Sequence, residues 1–202
     1  VLIFLSALGT PSRVYRGFAA AMAAQGIHVC TPDWRGLASS SVRASRRHDH
    51  GYRELVEIDA PALIETLTEW FPGAPVWIGG HSLGGQMSCC QLGLHPDSAD
   101  ALWLVASGAP YWRVFGAPKR WGLLSAYRFM RWLAARNGFM PGRRIGFGGN
   151  EARSVIADWA RTAISGHYAA PGVDVDLEAG MARFGGDVRA LTFDQDWLAP
   201  PE

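Results

Sequence analysis

The sequence is poor in cysteine, with only Cys30, Cys89 and Cys90 among 202 residues. An odd count with two adjacent members does not look like a disulfide framework, and the expected compartment is a reducing cytoplasm. No apolar run reaches the roughly 20 residues that a membrane-spanning helix needs, so no transmembrane segment is expected. The opening VLIFLSALGT lacks the basic lead-in and small-residue cleavage site of a secretory signal. It reads instead as a buried parallel strand. No charge of one sign dominates: 19 Lys and Arg face 18 Asp and Glu. Such a balance gives no field that would gather nucleic acid. Internal repeats and low-complexity linkers are missing too. What is present is 49% hydrophobic and 18% charged, which suits one globular domain, or one domain carrying an insertion.

Short apolar runs alternate with helical patterns. VLIFLSAL, IHVCTPDWRG, APVWIGG and ADALWLVASG read as strands, the second running into a Pro-Asp turn. YRGFAAAMAAQG is rich in alanine and ends at Gly26, a C-cap residue. YRELVEIDAPALIETLTEWF places Leu55, Ile58, Ala62, Leu63 and Leu67 at helical spacing, with Pro61 positioned to kink it. LGGQMSCCQLGL reads as a further helix. Alternation of this kind predicts a parallel sheet with right-handed helical crossovers.

The rhythm stops from Tyr111 to Gly186. This stretch is helical in pattern and rich in Trp, Phe, Met and Arg. Between Trp112 and Arg161 ten Lys and Arg face two acids, Glu151 and Asp158. A strand resumes at VRALTF. The expected division is a core over 1–110, a helical lid over 111–186, and the core again over 187–202. The aromatic and Met residues of the lid, Trp112, Trp121, Phe129, Met130, Trp132, Phe139 and Met140, either line an apolar acyl pocket or pack the insertion itself.

Within VWIGGHSLGGQ, Gly80, Ser82 and Gly84 fit G-x-S-x-G, set between an expected strand and an expected helix. Small residues two before and two after the serine let strand and helix approach closely, and the sharp turn lifts the hydroxyl above the sheet edge. The serine then sits at a helix N-terminus, where backbone N–H groups face a developing oxyanion. A serine hydroxyl is a poor nucleophile and needs a base with an orienting acid. Two carboxylates, Asp194 and Asp196, follow the strand VRALTF, at the strand end where active groups of parallel sheets lie.

These features together resemble the α/β-hydrolase superfamily, in its serine-hydrolase branch near serine aminopeptidases, monoacylglycerol lipases and homoserine acetyltransferase-like enzymes. The resemblance rests on VLIFLSALGT, PDWRG, GGHSLGG, LVASG, the lid-like insertion and DWLAP, and so spans nearly the whole chain. It implies an α/β-hydrolase fold, a mostly parallel sheet with flanking helices and a helical lid. It implies Ser82 as nucleophile and Asp196 as acid, since relatives carry D-x-x-x-P here and Pro200 completes it. Asp194 is the fallback. Relatives often carry H-G-x-G after the first strand; this chain has Ser6-Ala7-Leu8-Gly9. The oxyanion donors carried over are the backbone N–H groups of Leu8 and Leu83.

The family places its histidine beyond the acid, after another strand and helix. The histidines present are His28, His48, His50, His81, His95 and His167. None fits that place. His48 and His50 read as a solvated basic loop rather than a metal site, and His167 in the insertion is the first alternative base. The expectation is a chain truncated at both ends that lacks its triad histidine and is nearly inactive by itself. The implied activity is a serine hydrolase cleaving a carboxylic ester or related acyl bond in a small molecule, lipophilic if the lid lines the pocket. No cofactor and no metal are implied. An acyltransferase of the same fold and a non-catalytic binding protein are the alternatives; the oligomeric state is not fixed.

Overall fold

A computed structural model describes residues 1–199. The chain runs β1 (Leu2–Leu5), α1 (Arg16–Ala23), β2 (Val29–Cys30), α2 (Tyr52–Glu54), α3 (Ala60–Trp70), β3 (Trp77–His81), α4 (Leu83–Leu94) and β4 (Ala101–Val105). Then follow α5 (Lys119–Asn137), β5 (Phe139–Pro141), α6 (Gly142–Ile145), β6 (Asn150–Ala152), α7 (Arg153–Ser165), α8 (Leu177–Met181) and β7 (Asp187–Leu191). β2-β1-β3-β4-β7 form one sheet, parallel at every pairing. β5 and β6 form a separate antiparallel pair.

Alternation along the strands divides the core. Ile3, Leu5, Ile78 and Leu102 face α3, α4 and α8, while Leu2, Phe4, Trp77 and Trp103 face α1 and Tyr15. Period-two side-chain direction makes this division automatic. The expected kink at Pro61 takes the form of a π-helical turn over Leu55–Asp59 between α2 and α3. Proline lacks an N–H and its ring collides with the carbonyl four residues back, so the ladder widens just ahead of it. β2 is shorter than its apolar run suggests, because the chain leaves the sheet at Thr31-Pro32.

The segment after β4 packs in two places. α5 and α7 pack together with Tyr127, Met130, Ala134, Met140, Ile156, Ala160 and Ala163 as their own small core. α8 instead lies on α4. The two helices touch through glycine: a Cβ on Gly180 would stand 1.7 Å from the Gly93 carbonyl oxygen. No helix among the described residues is long and apolar enough to cross a membrane.

Candidate active site

Ser82 lies between β3 and α4 with φ 52° and ψ −117°. A non-glycine residue held there stores about 1–3 kcal/mol of strain. The neighbours that allow it are the glycines two before and two after. A Cβ on Gly84 would lie 2.0 Å from the Leu5 carbonyl oxygen, and one on Gly80 2.4 Å from the same atom. The backbone of Ser82 is pinned from β4: its N–H donates to the Val105 carbonyl at 3.0 Å, and the Ser107 hydroxyl donates to the Ser82 carbonyl at 2.6 Å. Ser107 was not foreseen, although ADALWLVASG placed it just past the neighbouring strand end.

Ser82 opens on a cavity of about 530 Å³. Leu8, Leu83 and Asp196 line the same cavity. So does His81. The insertion supplies an apolar wall of Leu123, Tyr127, Phe129, Met130, Phe147 and Trp159. Of the aromatic and Met residues after β4, Phe129 and Met130 reach the cavity, Met140 is buried in the α5–α7 core, and Trp121 and Trp132 turn outward.

Leu83 begins α4, so its N–H has no partner inside the helix. Leu8 N–H has no backbone acceptor among the described residues. The neighbouring N–H, that of Ala7, donates to the Tyr15 hydroxyl at 3.0 Å, and that hydroxyl bonds His81 Nδ1 at 3.0 Å. Burial depresses the His81 pKa, with the Asp196 carboxylate pulling the other way. Burial raises that of Tyr15. Gly9, with φ 68°, meets the insertion backbone: a Cβ there would stand 2.0 Å from Gly149 N.

Asp196 accepts the N–H groups of Leu198 at 2.9 Å and Ala199 at 3.0 Å. Asp194, two residues earlier, does not line the cavity. Pro200, which anchors the family pattern, lies outside the described residues. His167 bonds the Glu178 carboxylate at 3.0 Å on the exposed side of α8, away from the cavity. His28 stacks on Phe71, His50 is buried beside Gly36, and His95 sits at the end of α4. His81 is therefore the one histidine among the described residues that reaches the cavity. No cluster of His, Cys, Asp or Glu fit to hold a metal ion occurs among the described residues.

A parallel sheet with helices on both faces, and a strained serine where its third strand in chain order enters a helix, defines an α/β hydrolase fold. The serine stands at the C-terminal edge of the sheet, where this architecture builds its sites. The chain belongs to the serine aminopeptidase S33 family, whose model matches residues 1–159. Its fold is similar to that of a monoacylglycerol lipase from Paleococcus ferrophilus, with a TM-score of 0.61 and 14% identity over 99% of this chain and 75% of that one. It is also similar to a carboxylesterase structure from Nitrososphaera gargenis, at TM-score 0.60 and 18% identity over 94% of this chain and 70% of the other. The RedJ thioesterase of Streptomyces coelicolor gives 0.51 and 16%, over 99% and 69%. At these identities the likeness is one of fold. Comparison with curated protein sequences gives no match.

Proposed function

We propose that the protein is a serine hydrolase that cleaves a carboxylic ester or related acyl bond of a small, lipophilic molecule through an acyl-enzyme intermediate. The observation that carries this reading is the strained Ser82 opening on the same apolar cavity as Asp196. Ser82 Oγ attacks the acyl carbon, and the N–H groups of Leu8 and Leu83 receive the negative charge that develops on the carbonyl oxygen. The leaving alcohol departs with a proton, and water then releases the acid. This route requires no metal and no organic cofactor. The α5–α7 part of the insertion acts as a cap whose apolar wall takes the acyl chain.

The proton from Ser82 passes to a histidine held by Asp196. His81 Nδ1 is engaged by Tyr15 and the other five histidines do not line the cavity, so among the described residues no ring stands ready for this transfer. The 202-residue chain alone is then expected to keep only the roughly 10³–10⁴-fold rate over water that an oxyanion hole and binding supply. Full turnover by this chain would instead make His81, not His167, the base to mutate first.

The experiment is labelling with a fluorophosphonate probe, on protein expressed from the complete reading frame. The wild type should label and Ser82→Ala should not. Equal labelling of the two would refute the assignment of Ser82.

A further inference from the structure

Eight of the 19 Lys and Arg, and none of the 18 Asp and Glu, fall between residues 101 and 150. Five of these cations, Lys119, Arg120, Arg128, Arg131 and Arg136, stand on α5. The inner face of this helix is the buried set Leu124, Tyr127, Met130 and Ala134. A surface helix ordinarily turns a polar face to water. The outer face of α5 is mixed: among its exposed cations, Trp121, Phe129 and Trp132 are 57%, 52% and 56% exposed. Phe129 stacks on Trp132 with ring centroids 5.8 Å apart. Helical spacing puts Trp121, Arg128 and Trp132 along one ridge, with Phe129 and Arg136 beside it.

The ridge continues into the rim of the cavity. Phe129, Ile145, Trp197 and Leu198 line the cavity and are also about half exposed. Arg143 and Arg144, both exposed, flank Ile145. An apolar opening is thus bordered by exposed aromatic rings and arginines, with no carboxylate on α5 to offset them.

We infer that this face docks on an anionic lipid bilayer, with α5 lying in the headgroup plane and the cavity mouth turned to the lipid. Tryptophan rings settle at the membrane interface because one part of the ring is apolar and the N–H is not. Arginines spread along the same helix meet the negative surface while their stems remain on apolar ground. A second copy of the chain is a poor occupant. A two-fold contact would set this cationic patch against itself. A polynucleotide would use the arginines but leave the apolar rim uncovered. The inference stands whether or not the chain hydrolyses esters.

The test is flotation with vesicles of phosphatidylglycerol or of phosphatidylcholine, at low and high salt, with tryptophan fluorescence read alongside. Wild type should float with phosphatidylglycerol, blue-shift its emission, and be released by salt. Each cation near such a surface contributes roughly a factor of five, so Arg128→Gln with Arg131→Gln should weaken partitioning about 25-fold. Trp121→Ser with Trp132→Ser should weaken it and remove most of the blue shift. All four side chains are exposed, and unchanged melting would show that the variants fold. Three results would overturn the inference: wild type that does not float, variants that float as wild type does, or a dimer or oligonucleotide complex formed through this face without vesicle binding.

Discussion

The hydroxyl of Tyr15 joins His81 to the loop after β1, accepting the Ala7 N–H and bonding His81 Nδ1, each at 3.0 Å. A phenol has one proton to give. A His81 ring that is neutral and unprotonated at Nδ1 accepts that proton. Burial favours the same neutral form. One side chain thus ties the residue before Ser82 to the residue before Leu8.

Tyr15→Phe keeps the ring that packs edge-on against Phe4 and removes this tie. The buried Ala7 N–H is left without a partner, at a cost of about 1–3 kcal/mol. A lower midpoint in denaturant is expected, together with slower fluorophosphonate labelling of an intact Ser82. Unchanged labelling would mean that the loop holds its place without the hydroxyl.

Ser82→Gly should stabilise the fold. Glycine relieves strain of about 1–3 kcal/mol at this backbone conformation and gives back up to about 1 kcal/mol through the freer unfolded chain. Ser82→Ala keeps the Cβ and the strain, so its midpoint should stay near that of wild type. Equal midpoints for the Gly and Ala variants would place the strain elsewhere.

His50 and His81 are both depressed by burial, and Arg35 adds to the effect at His50. A histidine with a lowered folded value contributes stability above its unfolded value of about 6.5 and loses it as pH falls through the folded value. Thermal midpoints should therefore fall from about pH 7.5 to about pH 5.5, and fall less in His50→Gln. The carboxyls of Glu151 and Asp158, raised mainly by burial, act in the opposite sense. They are the same in both proteins, so the difference between the two curves isolates the histidine. Parallel curves would exclude His50 as a source of the slope.

Asp196→Asn should lower ester turnover by up to about 10⁴-fold in protein from the complete reading frame, as loss of the orienting acid does in a triad. Asp194→Asn should leave most of the rate, since that carboxylate does not line the cavity. A steady-state comparison of the two decides between them, and the reverse order would hand the role to Asp194.

The strand and helix around Ser82 were legible because every signal there is local. An apolar run, four glycines in two pairs around the serine and a helical stretch after them agree on one turn, and α4 begins at Leu83. The interior contacts were not legible. Tyr15 and His81 are 66 residues apart, and nothing in either neighbourhood announces the other. The division of the aromatics after β4 also escaped the sequence. Phe129 and Met130 line the cavity while Trp132 faces water, and only the docking of α5 on α7 fixes which side of the helix is inside. α8 packs elsewhere: Gly93 and Gly180 let it lie against α4 more closely than any side chain would permit.

Gly9 and Gly149 touch backbone to backbone, so the insertion rests on the very loop that carries Leu8. Lifting the insertion at that point would drag the loop and misalign its N–H. The two glycines thus join the position of the insertion to the shape of the loop, and a side chain at either would push the two backbones apart.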